Sequence, residues 1–183
     1  MIFNEHYGLI GKHAFLSPSQ YHWVNYDDDK LKDRYDAYLA KERGVELHAL
    51  AESCIRLGVK LARTQNTLNR FVNDAIGFKM VPEQPLYYSE NCFGTADAIS
   101  FRKNYLRIHD LKTGTVPASM TQLMVYAALF CLEYGYSPED IEIELRIYQS
   151  NDVVTENPQS EEVRALMDTI VRFDILVSDL KSR

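Results

Sequence analysis

Three strand-like runs, one helix and one alternating strand follow each other between Glu83 and Gln149, and this order constrains the fold most. Glu83–Ser89, Cys92–Phe101 and Tyr105–Lys112 are separated by tight polar turns, the pattern of an antiparallel meander. Pro82 and Pro85 make the first run an edge strand or an irregular start. Pro117 opens a helix that runs to about Tyr134 and ends at Gly135. Its apolar face is Leu123, Ala127, Phe130 and Cys131. Ile141–Gln149 then alternates apolar and polar residues. A strand, helix, strand connection crosses over right-handed, so this last strand lies parallel to the one ending in Lys112.

Helices occupy both flanks of this segment. Residues 16–25 read as a helix start, with Ser17 or Ser19 as cap and Pro18 in the first turn. Asp27, Asp28 and Asp29 read as a solvated cap or loop, because adjacent side chains do not converge on one point. A charged helix over 30–43 ends at Gly44, and a second over Val45–Gly58 buries Leu47, Leu50, Ala51, Cys54 and Ile55. Thr64–Gly77 is a further helix with Leu68, Phe71, Val72 and Ile76 as its apolar stripe. After the alternating strand, Asp152–Pro158 reads as a polar loop. Residues 159–181 form an amphipathic helix whose buried stripe is Val163, Leu166, Ile170, Phe173, Leu176 and Leu180. The expectation is one α/β domain over 1–183, with a mixed sheet of about four strands flanked by helices. Residues 1–78 are its helical part and 79–183 its sheet core and last helix.

Hydrophobic residues at 46% and charged residues at 25% fit a soluble globular chain, and no apolar run is long enough to span a bilayer. The N-terminus lacks the pattern of a signal peptide, which points to the cytoplasm. The three cysteines, Cys54, Cys92 and Cys131, are dispersed, which argues against a disulfide framework or a zinc ribbon. The net charge of -6 speaks against a general nucleic-acid coat protein but leaves room for a local basic groove.

The chemistry concentrates in residues 94–126. Asp110 and Lys112 leave the same face of their strand, because side chains alternate. The turn at Arg102, Lys103 and Asn104 folds the Asp97 strand back beside them. Two carboxylates and one ammonium then share one place on a sheet. A hard divalent ion with oxygen ligands is the usual answer to such a carboxylate pair. Gln122 and Tyr126 stand four apart on a helix, near the strand end that carries Lys112. His48 and Glu52 share a helix face, and Glu52 is also spaced to pair with Arg56. Arg56, Lys60 and Arg63, with Arg70 two turns on, make a basic stripe suited to tracking phosphates if the helix continues past Gly58.

Asp97 followed by Asp110-Leu111-Lys112 resembles the PD-(D/E)XK nuclease core. The added Gln122-x-x-x-Tyr126 and the upstream His48 resemble its RecB-like branch, and the likeness covers residues 45–150. Ser17-Pro18-Ser19 before a short aromatic helix is similar to the entry segment of many phage-encoded members. The resemblance implies a restriction-endonuclease-like core and a metal-dependent DNA nuclease, an exonuclease of the stand-alone phage or prophage kind. It implies that Asp97, Asp110, the Leu111 backbone carbonyl and His48 hold Mg²⁺ or Mn²⁺, with Glu83 as a further candidate acid. Lys112 would position the attacking water, and Gln122 and Tyr126 would orient the strand or support Lys112. The implied partners are DNA and a single-strand annealing or recombination protein, and a ring or dimer would enforce processivity. Three cysteines cannot hold the four-cysteine iron–sulfur cluster of some relatives, so none is expected.

Two other classes compete with this reading. A non-catalytic DNA- or protein-binding module that keeps the nuclease fold has no need for a repulsive carboxylate pair. An α/β enzyme of unrelated chemistry finds no support, since the chain has no Gly-rich phosphate loop, G-x-S-x-G elbow or HExxH.

Overall fold

A computed structural model describes residues 5–182, which fall into two compact units that meet in sequence at Arg43 and Gly44. In the first unit, two 3₁₀ segments, Tyr7–Leu9 and Pro18–Asn25, precede the start of a long helix. Ser17 is the N-cap residue of the second segment, but its hydroxyl pairs with Ser19 at 2.8 Å instead of capping it. Gln20 leaves helical geometry there (φ −116°, ψ 43°), so the expected α-helix becomes 3₁₀ turns. Asp27 caps the long helix, accepting a hydrogen bond from the Lys30 backbone N–H at 2.8 Å, as its position before an acidic first turn predicts.

That helix, α1, runs unbroken over Asp28–Leu57, so Gly44 does not end it. Glycine costs roughly 1 kcal/mol inside a helix. Here it is buried against Thr113, whose hydroxyl oxygen a Cβ would approach to 2.8 Å. Close approach of helix and loop therefore outweighs the local preference. Gly58 (φ +68°) is the residue that ends α1. Leu50, expected inside, is 48% exposed, whereas Ala51, Cys54 and Ile55 are buried. α2 spans Thr67–Gly77, with the Asn66 side chain capping it by accepting from the Asn69 N–H.

The sheet of the second unit has five strands in the order β1 to β5, against the expected four or so. They are β1 (Val81–Ser89), β2 (Cys92–Arg102), β3 (Tyr105–Leu111), β4 (Glu142–Gln149) and β5 (Asp152–Glu156). β1, β2 and β3 form the expected antiparallel meander with β1 at the edge, and β3 pairs parallel with β4. β5 takes most of the segment read as a polar loop and pairs antiparallel with β4. Its turn lacks the usual glycine signal, because Ser150 (φ 52°) and Asn151 (φ 63°) adopt the left-handed geometry themselves. Asn151 is anchored to α2 through Thr67, whose hydroxyl accepts its N–H at 2.7 Å.

α3 (Thr121–Tyr134) starts four residues after Pro117. The intervening loop is held by Gln149, which accepts from the Ala118 N–H and donates to the Gly114 and Val116 carbonyls. Such pairing satisfies backbone groups that a helix would otherwise have used. α3 and α4 (Ser160–Lys181) cover one face of the sheet around Leu106, Ile108, Leu145, Ile147, Leu123, Ala127 and Val163. The second half of α1 and α2 cover the other, around Ala51, Phe71, Val72, Leu111 and Tyr148. In α4 only the first half is buried, at Val163 and Met167. Phe173, Leu176 and Leu180 are each more than half exposed, and this second half meets the β1–β2 turn through polar contacts, Asp174 with Ser89 and Asn91.

Among the described residues, no helix is long and apolar enough to cross a membrane.

Candidate metal centre

Three elements bring ligand-type side chains together. α1 supplies His48, β1 supplies Glu83 and β2 supplies Asp97. Glu83 falls between the paired positions Pro82–Ala98 and Gln84–Ala96, and Asp97 falls between the same two on the neighbouring strand. Glu83 has φ +48°, a geometry that a non-glycine residue adopts at a cost. Its neighbours Pro82 and Pro85 remove two ladder donors, which frees the edge strand to distort there. Arg56 fixes the same spot, donating from Nη2 to the Pro82 carbonyl at 3.2 Å and from Nε to Glu52 at 2.8 Å. Arg56 is thus a structural clamp on β1, and Glu52 is its partner.

His48 Nδ1 lies 3.5 Å from Asp97 Oδ2 and 3.9 Å from Glu83 Oε1. One ligand atom from each of the three residues lies within 4.8 Å of the others. With bonds of about 2.1 Å, ligands of one octahedral ion stand about 3 to 4.2 Å apart. The three therefore need only a small contraction to share an ion. Their chemistry, two carboxylates and one imidazole, is that of a divalent-cation site.

Electrostatics point the same way. Burial pushes the Asp97 carboxyl up to about 6, the Asp110 charge adds to this, and His48 and the Leu111 N–H oppose it. Burial also raises Glu83 above the ordinary carboxylate range. Two acids that resist ionisation beside each other are a place where a cation is stabilising.

Asp110 is only 3% exposed and takes its cation from Lys112, whose Nζ lies 3.1 Å from Oδ1 and 3.0 Å from Oδ2. Only the first contact has hydrogen-bonding direction, so Oδ2 is buried with its lone pairs unmatched. Such an orphan acceptor fits an ion ligand as well as an ion pair. Lys112 Nζ also donates to Gln122 Oε1 at 2.9 Å, and Gln122 Nε2 lies 3.4 Å from the Tyr126 hydroxyl. Tyr126 packs on Gly94, where a Cβ would stand 3.0 Å from its ring. Asp110, Lys112, Gln122 and Tyr126 thus form one chain of contacts.

The expected residues separate into two neighbouring groups. His48, Glu83 and Asp97 converge, while Asp110 stands outside that trio and pairs with Lys112. Leu111 joins the groups through its N–H, which donates to Asp97 Oδ2 at 2.8 Å. Arg56, Lys60 and Arg63 do not form a helical stripe, because α1 ends at Leu57. No motif or spacing in the sequence marks a buried polar cluster on β3 and β4. His109, fully buried and held down to about 3 by burial and by Arg146 and Arg107, contacts the Tyr148 hydroxyl at 3.3 Å. Tyr148 donates to Asp74 at 2.7 Å. His109 stands where β3 alternation places a core residue, and its enclosure makes it a packing group.

Compared with known protein families, with curated proteins and with solved structures, the chain has no match in any of the three.

Proposed function

We propose that this chain is a metal-dependent deoxyribonuclease with a restriction-endonuclease-like core. The observation that carries the reading is the convergence of His48, Glu83 and Asp97 beside the buried Asp110 and its partner Lys112. Asp97, Asp110, His48, Glu83 and the Leu111 carbonyl would hold Mg²⁺ or Mn²⁺. When bound, such an ion polarises a phosphate oxygen and lowers the pKa of a bound water.

The remaining work falls to the protein's own groups. Lys112 is held by Asp110 and Gln122, so its ammonium is fixed without a conformational search. A fixed ammonium positions a water by hydrogen bonding and offsets negative charge that grows on the phosphate oxygens. Tyr126 steadies Gln122 from the far side. Asp97 must give up its proton before it can ligate, which ties binding to pH. The resemblance to stand-alone phage nucleases, rather than the site itself, makes an exonuclease acting in the cytoplasm of a phage-infected cell beside a recombination protein the setting we propose.

One assay tests the reading. Purified protein is given end-labelled linear DNA and closed circular DNA, with Mg²⁺, Mn²⁺ or EDTA. Degradation of linear DNA only, with either metal and not with EDTA, is expected. No cleavage under any of these conditions refutes it.

A further inference from the structure

The loop that follows α1 builds a second site, distinct from the candidate metal centre. Gly58 turns the chain out of the helix, and residues 60–66 return to α2. Two α2 asparagines pin this loop. Asn73 accepts from the Leu61 N–H at 2.9 Å and donates to the Leu61 carbonyl at 3.0 Å. Asn69 donates to the Ala62 carbonyl and to the Thr64 hydroxyl, both at 3.0 Å. Four side-chain hydrogen bonds on so short a loop give it a defined shape.

That shape encloses an open cavity of about 570 Å³, whose charged lining is Lys60, Arg63, Arg70 and Asp74. Asp74 is already engaged, with Arg146 Nη1 3.5 Å away and the Tyr148 hydroxyl donating to it. Among the described residues, neither Lys60 nor Arg63 makes an ion pair. Arg70 donates to the Asn151 carbonyl at 3.3 Å, which orients its guanidinium and leaves its charge unmatched. Three cations lining one cavity repel each other, and an anion relieves that repulsion. In a chain of net charge -6 this is a local reversal of sign. Thr64 and Gln65 add neutral donors beside the cations.

We propose that this cavity binds the phosphodiester backbone of a nucleic-acid strand, a few nucleotides from the candidate metal centre. The inference rests on the nuclease reading for its choice of anion. The nine helical rises of α1 from His48 to Leu57 span about 14 Å, roughly four steps of 3.4 Å along a strand. The cavity therefore contacts the backbone away from the scissile bond. It supplies affinity and position, not chemistry.

The test measures binding of a fluorescent single-stranded oligonucleotide to the full chain in EDTA, over a range of salt. For single strands, each phosphate contact contributes about 0.7 to the slope of log affinity against log salt. Lys60→Gln with Arg63→Gln should lower that slope by about 1.4 and weaken binding. Both side chains are exposed, so the fold should be retained, as circular dichroism would verify. A wild-type slope in the double variant overturns the proposal. Displacement of the oligonucleotide by stoichiometric inorganic phosphate at matched ionic strength also overturns it, assigning the cavity to a free anion. If the slope falls while the wild type shows no metal-dependent cleavage, the cavity stands and the nuclease reading fails. If cleavage is present and the slope is unchanged, the reverse holds.

Discussion

Replacing Asp97 by Asn should make the metal-free protein more stable, although it removes a residue placed at the candidate centre. In the folded state the Asp97 carboxyl is pushed from its ordinary 3.8 to about 6, first by burial and then by the Asp110 charge. A raised carboxyl means that the folded protein binds the proton more tightly than the unfolded chain. Stability is therefore lost as pH rises from about 4 to about 6, and the full penalty applies above that. The difference of about two pH units corresponds to about 3 kcal/mol. The side chain is 16% exposed, so this is an upper value that solvent screening trims modestly. Asn keeps an oxygen that can accept the Leu111 N–H, so the hydrogen bond at 2.8 Å survives the change. Asp97→Asn should gain up to about 3 kcal/mol near pH 7.5 and about 1 kcal/mol near pH 4.5 in EDTA. For a chain of this length the larger gain corresponds to a melting temperature higher by roughly 6–12 °C. Urea unfolding at both pH values measures it. A variant less stable than wild type near pH 7.5, or equally affected at both pH values, refutes the reasoning.

Adding Mn²⁺ at about 100 times its dissociation constant should stabilise wild type by about 2.7 kcal/mol and Asp97→Asn by less, read as melting temperature. Asp110→Asn and Lys112→Gln should each slow cleavage by at least about a hundredfold, measured on labelled DNA, because each removes one fixed charge from the reacting region. His48→Ala should raise the Mn²⁺ concentration for half-maximal cleavage about tenfold or more and leave oligonucleotide binding in EDTA unchanged. Gly94→Ala should cost about 1–3 kcal/mol of stability, since its Cβ would lie 3.0 Å from the Tyr126 ring. Tyr126→Ala in the same chain should recover part of that loss, which a double-mutant cycle by denaturant unfolding detects.

What the sequence determined by itself is local and periodic. The β2–β3 hairpin follows from the polar turn at Lys103 and Asn104, of which Asn tolerates positive φ, and it alone places Asp97 beside Asp110 and Leu111. The parallel pairing of β3 and β4 follows from the handedness of a strand, helix, strand crossover. The contact of Lys112 with Gln122 follows from the same crossover, which returns α3 over the end of β3. Where local preference and packing disagree, only the tertiary structure decides. Gly44 reads as a helix end until Thr113 is found against its Cα, and Ser150-Asn151 reads as loop until Thr67 is found to anchor it. Glu83 joins the site through a left-handed backbone on a proline-flanked edge strand, a geometry that no periodicity reports. Lys60, Arg63 and Arg70 look like a helical stripe in sequence, yet they meet around a cavity. Gly58 ends the helix, and Asn69 and Asn73 fold the loop back by hydrogen bonds across up to twelve residues. Periodicity encodes which face a residue takes within one element. Which elements touch depends on packing between residues far apart in the chain, and that information is spread over the whole core.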